Sequence, residues 1–265
     1  MKKEMAFLLK KMSDPILQKA DVISWGAPIP SFGKLTTAKV ATVGLNPSNR
    51  EFVDVKGHEL EGTNRRFHTL KSLGLDTWDS IEQKHLDLII EVCFEYFNRN
   101  PYDAWFKKLD NLISGSGKSY YFPSHSACHL DLIPFATFKK WTELDSTKKS
   151  ELLDVSSDFL GMLLNNSDVE TMVLNGQTVV DSLQKMSKVE LSKTYMEDWT
   201  LPRANSGGVS GYAYKGQIND IGNVKLNRPI RVLGYNHNIQ SSFGVTKNVQ
   251  ISIRNWFSTE LTLIK

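Results

Sequence analysis

Short apolar runs that stop abruptly in polar clusters set the tightest limit on what this chain can fold into. The first, Ala38–Leu45, is rich in β-branched residues and ends at Asn46-Pro47-Ser48-Asn49. Pro47 has no N–H and biases Asn46 away from the helical region, so the strand cannot continue. Similar runs fall at Ser126–Leu132, stopped by Pro134, at Thr171–Leu174, stopped by Asn175-Gly176, and at Pro229–Tyr235, which gives way to Asn236-His237-Asn238. Between them apolar residues recur at helical spacing: over residues 1–24 with a break at Pro15, over 60–115, Ser146–Leu164, Gln177–Met186 and Thr246–Phe257. The polar, glycine-rich stretch 194–226 reads as a hairpin or a mobile loop. Strands alternating with helices predict an α/β chain: three layers, α/β/α, around a central, mostly parallel sheet of four to five strands.

A length of 265 residues is ordinary for one α/β domain, and the expectation is a single domain with a helical insertion at about 55–125. Hydrophobic residues at 40% and charged residues at 23% exclude a disordered or collagen-like chain. No apolar run approaches the ~18 residues a membrane span needs, so no membrane partner is expected. The start, Met1–Ala6, carries Glu4 and lacks the shape of a signal peptide, which points to the cytoplasm. Cys93 and Cys128 have no CxxC partner and read as buried free thiols. Two thiols cannot supply the four that an iron–sulfur cluster commonly takes, and neither cofactor nor metal is expected. A monomer is expected.

In an open parallel sheet, ligands bind at the carboxyl ends of the strands. Four such ends here are polar: Asn46 to Arg50, His129 with Asp131, Asn175-Gly176, and Asn236 to Asn238. One polar strand end is a turn; four on one edge are a candidate site. The net charge of +3 neither demands nor excludes a nucleic-acid partner, so the distribution of charge must decide. Arg50, Arg65, Arg66 and Lys71 follow the first strand, Lys139 and Lys140 the second, and Lys247 opens the last helix.

At these residues the sequence resembles the uracil-DNA glycosylase superfamily. Gly44-Leu45-Asn46-Pro47-Ser48 is similar to the first family motif in the style of the mismatch-specific and single-strand-selective branches. Leu174-Asn175-Gly176 resembles the later strand that ends in a glycine. His237 to Ser242 stands where the family has a His-Pro-Ser-Pro-like loop, although Asn238, Ile239 and Gln240 replace its prolines and serine. The resemblance implies a monofunctional DNA glycosylase that flips a pyrimidine out of single- or double-stranded DNA and hydrolyses its N-glycosidic bond. Some family members guard bacteria against phages by excising bulky cytosines such as glucosylated hydroxymethylcytosine; repair of uracil or mismatches is the alternative.

Such a reaction has an oxocarbenium-like transition state, with positive charge growing on the sugar and negative charge on the departing base. Asn46 is the candidate for orienting the water, since its amide oxygen can hold a nucleophile although it cannot take a proton. Otherwise it is a turn residue bonding its own backbone. His237 is the candidate N–H donor to the pyrimidine O2, or else a surface histidine. Around them Gly44, Leu45, Pro47, Ser48 and Asn175 would contact the base, with His129 either a pocket residue or a satisfied interior one. Asp131, an acceptor when ionised, suits the exocyclic amine of a cytosine derivative, unless it caps the turn before Pro134 or pairs with Arg66 or Lys139. Phe52 or Phe135 would stack on the flipped base, and Asp54 would either stabilise the oxocarbenium or solvate a loop. Arg50, Arg65, Arg66, Lys139, Asn238, Ser241, Ser242 and Lys247 would grip the DNA, and Gln240 or Ile239 would fill the gap left by the base. Two other classes remain open: a catalytically silent DNA-binding module, and a small-molecule enzyme acting on nucleotides, for which no GxGxxG or GxxxxGK[ST] pattern is present.

Overall fold

The computed structural model describes residues 1–100, 103–203, 206–240 and 244–262. The described residues form six strands: β1 (Val40–Gly44), β2 (Ala127–Asp131), β3 (Thr171–Asn175), β4 (Ser192–Arg203), β5 (Ser206–Ile221) and β6 (Val224–Tyr235). They form one sheet in the order β2-β1-β3-β6-β5-β4. The first four in that order are parallel, and β5 and β4 extend the sheet antiparallel from β6.

The helices are α1 (Lys2–Lys11), α2 (Pro15–Lys19), α3 (Leu70–Leu73), α4 (Gln83–Phe94), α5 (Tyr96–Arg99), α6 (Ala104–Ile113), α7 (Ser146–Asn165), α8 (Gln177–Ser187) and α9 (Lys247–Thr262). Local chemistry fixes several of their ends. Pro15 breaks the first helical pattern by opening α2, where its missing N–H costs nothing, and Asp14 caps the same turn through Ile16 N–H at 2.9 Å. Asp145 caps α7 by accepting from Lys148 N–H at 2.8 Å; a cap of this kind is worth about 1 kcal/mol.

Period-two alternation assigns the strand residues to two apolar layers. Ala41, Val43, Cys128, Leu130, Met172, Leu174, Ile230 and Val232 face a core built with α1, α2, α4, α7 and α8. Val40, Ala127, Val173, Leu233 and Tyr235 face a second core completed by α5, α6 and α9. Thr42 and His129 occupy that same second face, side by side in the parallel register of β1 and β2. This places a polar strand pair against α6.

The four strands expected from the sequence are all present, and the stretch expected as a hairpin or loop is an antiparallel ribbon that brings the total to six. Its glycines do not all serve turns: Gly222 turns the chain between β5 and β6 at φ +59°, whereas Gly211 lies within β5. A Cβ at Gly211 would lie 2.7 Å from the backbone carbonyl carbon of Trp199, so glycine there lets the two strands close over that indole. Trp199 is fully buried, packs edge-on to Trp256 of α9, and donates its ring N–H to Ser252 at 3.2 Å. Strand β6 begins five residues before Pro229. Up to that point β6 pairs with β5 alone, with a register irregularity opposite, and the ladder with β3 starts at Arg231, so the missing N–H of Pro229 is tolerated. Among the described residues no helix is long and apolar enough to cross a membrane.

Candidate functional site

Strands β1 and β2 end together, with Gly44 paired to Asp131, and the chain after β1 turns through Asn46-Pro47-Ser48 into a 3-10 turn at Asn49–Glu51. Over this edge lies a cavity of about 400 Å3 lined by Asn46, Pro47, Ser48, Arg50, Glu51 and Arg66 on one part and by Phe32, Asp103, Trp105, Phe106, His129 and Asp131 on the other. A smaller cleft of about 180 Å3 shares Asn46, Pro47 and Ser48 and runs on to Asn49, Lys139, Lys140 and Trp141.

Asn46 is held by its amide nitrogen. Nδ2 donates to Thr137 Oγ1 at 3.0 Å and to the carbonyls of Pro47 at 3.2 Å and Phe135 at 3.5 Å. The Thr137 hydroxyl itself donates to Lys139 O at 2.7 Å, so its lone pair can only accept, and the orientation of the Asn46 amide is fixed. No protein donor among the described residues engages Asn46 Oδ1. Ser48 caps the following turn by accepting from Arg50 N–H at 3.2 Å, while Leu45 packs half-buried on the core and accepts Ile133 N–H at 2.9 Å.

A buried polar chain runs to the other side of the cavity. The hydroxyls of Tyr120 and Thr42 are hydrogen-bonded, Thr42 Oγ1 lies 2.7 Å from His129 Nδ1, and His129 Nε2 lies 3.4 Å from Asp131 Oδ1. Burial raises the Tyr120 phenol far above its ordinary value, so it remains a donor. Donors running from Tyr120 through Thr42 to Nδ1 would place the His129 N–H on Nε2, on the side of Asp131. Gly44 makes room for this pair: a Cβ there would collide with Asp131 Oδ1 and stand 3.1 Å from His129 Nε2.

The third feature is a charge cluster that the sequence did not single out as a unit. Arg66 Nη1 reaches Asp103 Oδ2 at 3.1 Å and both oxygens of Glu51 at 3.4 Å, and the Tyr96 hydroxyl donates to Glu51 at 3.1 and 3.2 Å. Glu51 is 7% exposed, and burial pushes its carboxyl up to about 7, against the pull of Arg66 and with help from Asp103. Arg66, expected on DNA, is therefore the counter-ion of two cavity carboxylates.

Several expected residues stand elsewhere. Phe52 is 2% exposed and packs edge-on to Trp25 and obliquely on Phe67; Phe135 is buried in the opposite core, and neither lines the cavity. The aromatic faces there belong to Phe32, Phe106 and Trp105, the last 41% exposed and edge-on to His129. Phe52→Ala is accordingly expected to cost about 3–5 kcal/mol in denaturant unfolding, the usual penalty for a buried aromatic, without changing which base is bound. Asp54 closes its own loop, accepting from Lys56 N–H at 2.7 Å and His58 N–H at 2.9 Å, bonds that hold its carboxyl below the usual range.

Asn175 is fully engaged, donating to Gln240 Oε1 at 2.7 Å and accepting from Tyr235 at 2.6 Å, which also holds Gln240 back against the sheet. His237 is 4% exposed, with Nε2 donating to Trp199 O at 2.6 Å; burial holds it neutral more firmly than usual, but that N–H is committed and the ring does not line the cavity. Asn238 caps its loop through Gln240 N–H at 3.0 Å. Of the cations, Arg50 lines the cavity and bonds the Asp54 carbonyl, Lys139 lines the cleft 3.6 Å from Asp21, Arg65 offers its carbonyl to Arg99 at 2.9 Å, and Lys247 opens α9. Ser241 and Ser242 lie outside the described residues.

Among the described residues no three of His, Cys, Asp and Glu are arranged to hold a metal ion. What the arrangement can do is hold a planar polar ligand among aromatic edges, with one oriented amide oxygen, one acceptor fixed by a histidine, and one protonatable buried carboxyl. No family model matches this chain and no curated protein matches it, so the resemblance to the glycosylase superfamily rests on the residues themselves.

Proposed function

We propose that this chain is a monofunctional DNA glycosylase of the uracil-DNA glycosylase type, which takes a flipped, modified pyrimidine into the cavity and hydrolyses its N-glycosidic bond. The observation that carries the reading is Asn46: an amide locked through its nitrogen at the end of β1, with its oxygen unengaged beside a cavity. That is the geometry needed to orient a water for attack on a sugar that is already losing its base. Asp131, an acceptor in the same cavity, favours a base with an exocyclic amine over uracil.

Size points the same way. Liquid water takes about 30 Å3 per molecule, so the eight heavy atoms of uracil fill at most ~240 Å3 and leave space in this cavity. By the same measure a C5 hydroxymethyl group, two further heavy atoms at ~60 Å3, fits the remainder, whereas the eleven heavy atoms of a glucose carried on it, ~330 Å3, exceed it and would extend out of the cavity; excision of such a base would serve defence against phage DNA. The cleft with Lys139 and Lys140 gives the strand a cationic path away from the cavity. Duplexes carrying uracil, thymine opposite guanine, or glucosylated hydroxymethylcytosine, incubated with the protein and then heated in alkali, are expected to break at the modified cytosine. Breaks at uracil alone would remove the bulky-base reading, and no breaks in any duplex would remove glycosylase activity.

The placement of His237 supports a second reading, a DNA-binding module that retains the pocket without turnover. It expects duplex binding that Asn46→Ala leaves unchanged and no abasic product.

A further inference from the structure

The glycosylase reading leaves one cavity group without a task. Glu51 lies five residues after Asn46, at the end of the 3-10 turn that follows the motif, and its carboxyl belongs to the same cavity wall. Both oxygens are held by the Tyr96 hydroxyl and by Arg66, and Asp103 shares that arginine. A carboxylate needed only as a counter-ion for Arg66 would be redundant, since Asp103 already makes the shorter contact at 3.1 Å. Meanwhile His237, expected to relieve charge on the base, has its N–H on a backbone carbonyl.

We propose that Glu51 is the proton donor to the departing base and the acceptor of the proton from the attacking water; the proposal rests on the glycosylase reading above. As the bond from the sugar C1′ to the base nitrogen breaks, its electron pair goes to the base, which takes the Glu51 proton at O2 or N3. The water oriented by Asn46 then adds to C1′ and gives a proton to the Glu51 carboxylate, so the enzyme is restored and the products are a neutral base and an abasic sugar. The groups that face Glu51 are Arg66 from the segment before α3, Tyr96 from α5 and Asp103 at the start of α6, with Arg50, His129 and Asp131 on the same cavity. Burial together with Asp103 favours the protonated form and Arg66 opposes it, leaving the carboxyl titrating at about 7, where it can both give and take a proton.

Single-turnover release of uracil, 5-fluorouracil and glucosylated hydroxymethylcytosine from duplexes tests this across pH. Wild-type release is expected to fall with rising pH above about 7, following loss of the donor. Glu51→Gln should slow release by about a hundredfold or more at low pH and flatten the profile, with the largest loss on the cytosine derivative and the smallest on 5-fluorouracil, which leaves readily as an anion. Tyr96→Phe removes a hydrogen bond that favours the ionised form, so its midpoint should move upward while activity survives. A wild-type-like profile in Glu51→Gln, equal losses on all three bases, or an unmoved midpoint in Tyr96→Phe would each overturn the proposal. A wild-type chain that releases none of the bases would instead overturn the glycosylase reading on which it rests.

Discussion

Asn46→Ala is expected to reduce base release by about a hundredfold or more, the range seen when a single group that orients a reactant or stabilises its charge is removed. The loss should appear in the single-turnover rate and leave duplex binding within a few-fold of wild type, because Pro47, Ser48 and the cationic cleft remain. Stability should change little. The side chain makes one good hydrogen bond, to Thr137, and a typical net contribution of such a bond is about 1 kcal/mol. Asn46→Asp separates orientation from charge. An ionised carboxylate has no N–H for Thr137, whose own hydroxyl is already committed to Lys139 O, so the acid would meet the Thr137 lone pair and turn away from its present position. If Asn46→Ala released base at the wild-type rate, the oriented-water role would be untenable and the silent-module reading would gain.

Most of the sheet was legible because strand ends are local events. Pro47, Pro134 and Asn175-Gly176 each stop a short apolar run within or just after the residues that form it, and Pro15 opens α2 by the same kind of local rule. The ribbon of β4 and β5 was not legible as two full strands, since glycine in a sequence looks the same whether it turns the chain or admits Trp199 against it. The site divides along the same line. Asn46, His129 and Asp131 were found because they sit on strand ends, and the parallel register brings strand ends together. Glu51, Asp103 and Trp105 were missed because tertiary packing alone places them there. Phe52 and Glu51 are neighbours on a tight turn, so one points to the core and the other to the cavity, and no pattern in the sequence says which. One signal did exist for Trp105. Adjacent residues on a helix point about 100° apart, so a Trp-Phe pair cannot bury both rings on one narrow face. In α6 it is Phe106, 3% exposed, that enters the core, and Trp105 that is left at the cavity.

Gly44→Ala is expected to reproduce the loss of Asp131 without touching it. The backbone at Gly44 is ordinary extended strand, so the substitution carries no conformational strain; its cost is the methyl group meeting Asp131 Oδ1 and the His129 ring. His129 cannot yield, because Thr42 holds Nδ1 at 2.7 Å and Phe106 and Trp105 enclose the ring. Asp131, tied to His129 only by a 3.4 Å contact, is the group that must rotate away, which breaks that contact and removes the acceptor from the cavity. Overpacking of this sort costs about 1–3 kcal/mol, measurable as a lower midpoint in denaturant, with the cooperative transition retained. Base release should then fall by the same factor as in Asp131→Ala, and the preference for a base bearing an exocyclic amine should disappear in both. The double variant decides the matter: because one substitution acts through the other residue, the losses in release should not multiply, and Gly44→Ala with Asp131→Ala should be no slower than Asp131→Ala alone. The same double variant should recover part of the lost stability, since removing the Asp131 carboxylate opens the space that the added methyl needs. Losses that multiply would mean that Gly44 is required for some other approach, such as that of the flipped base itself to the end of β1.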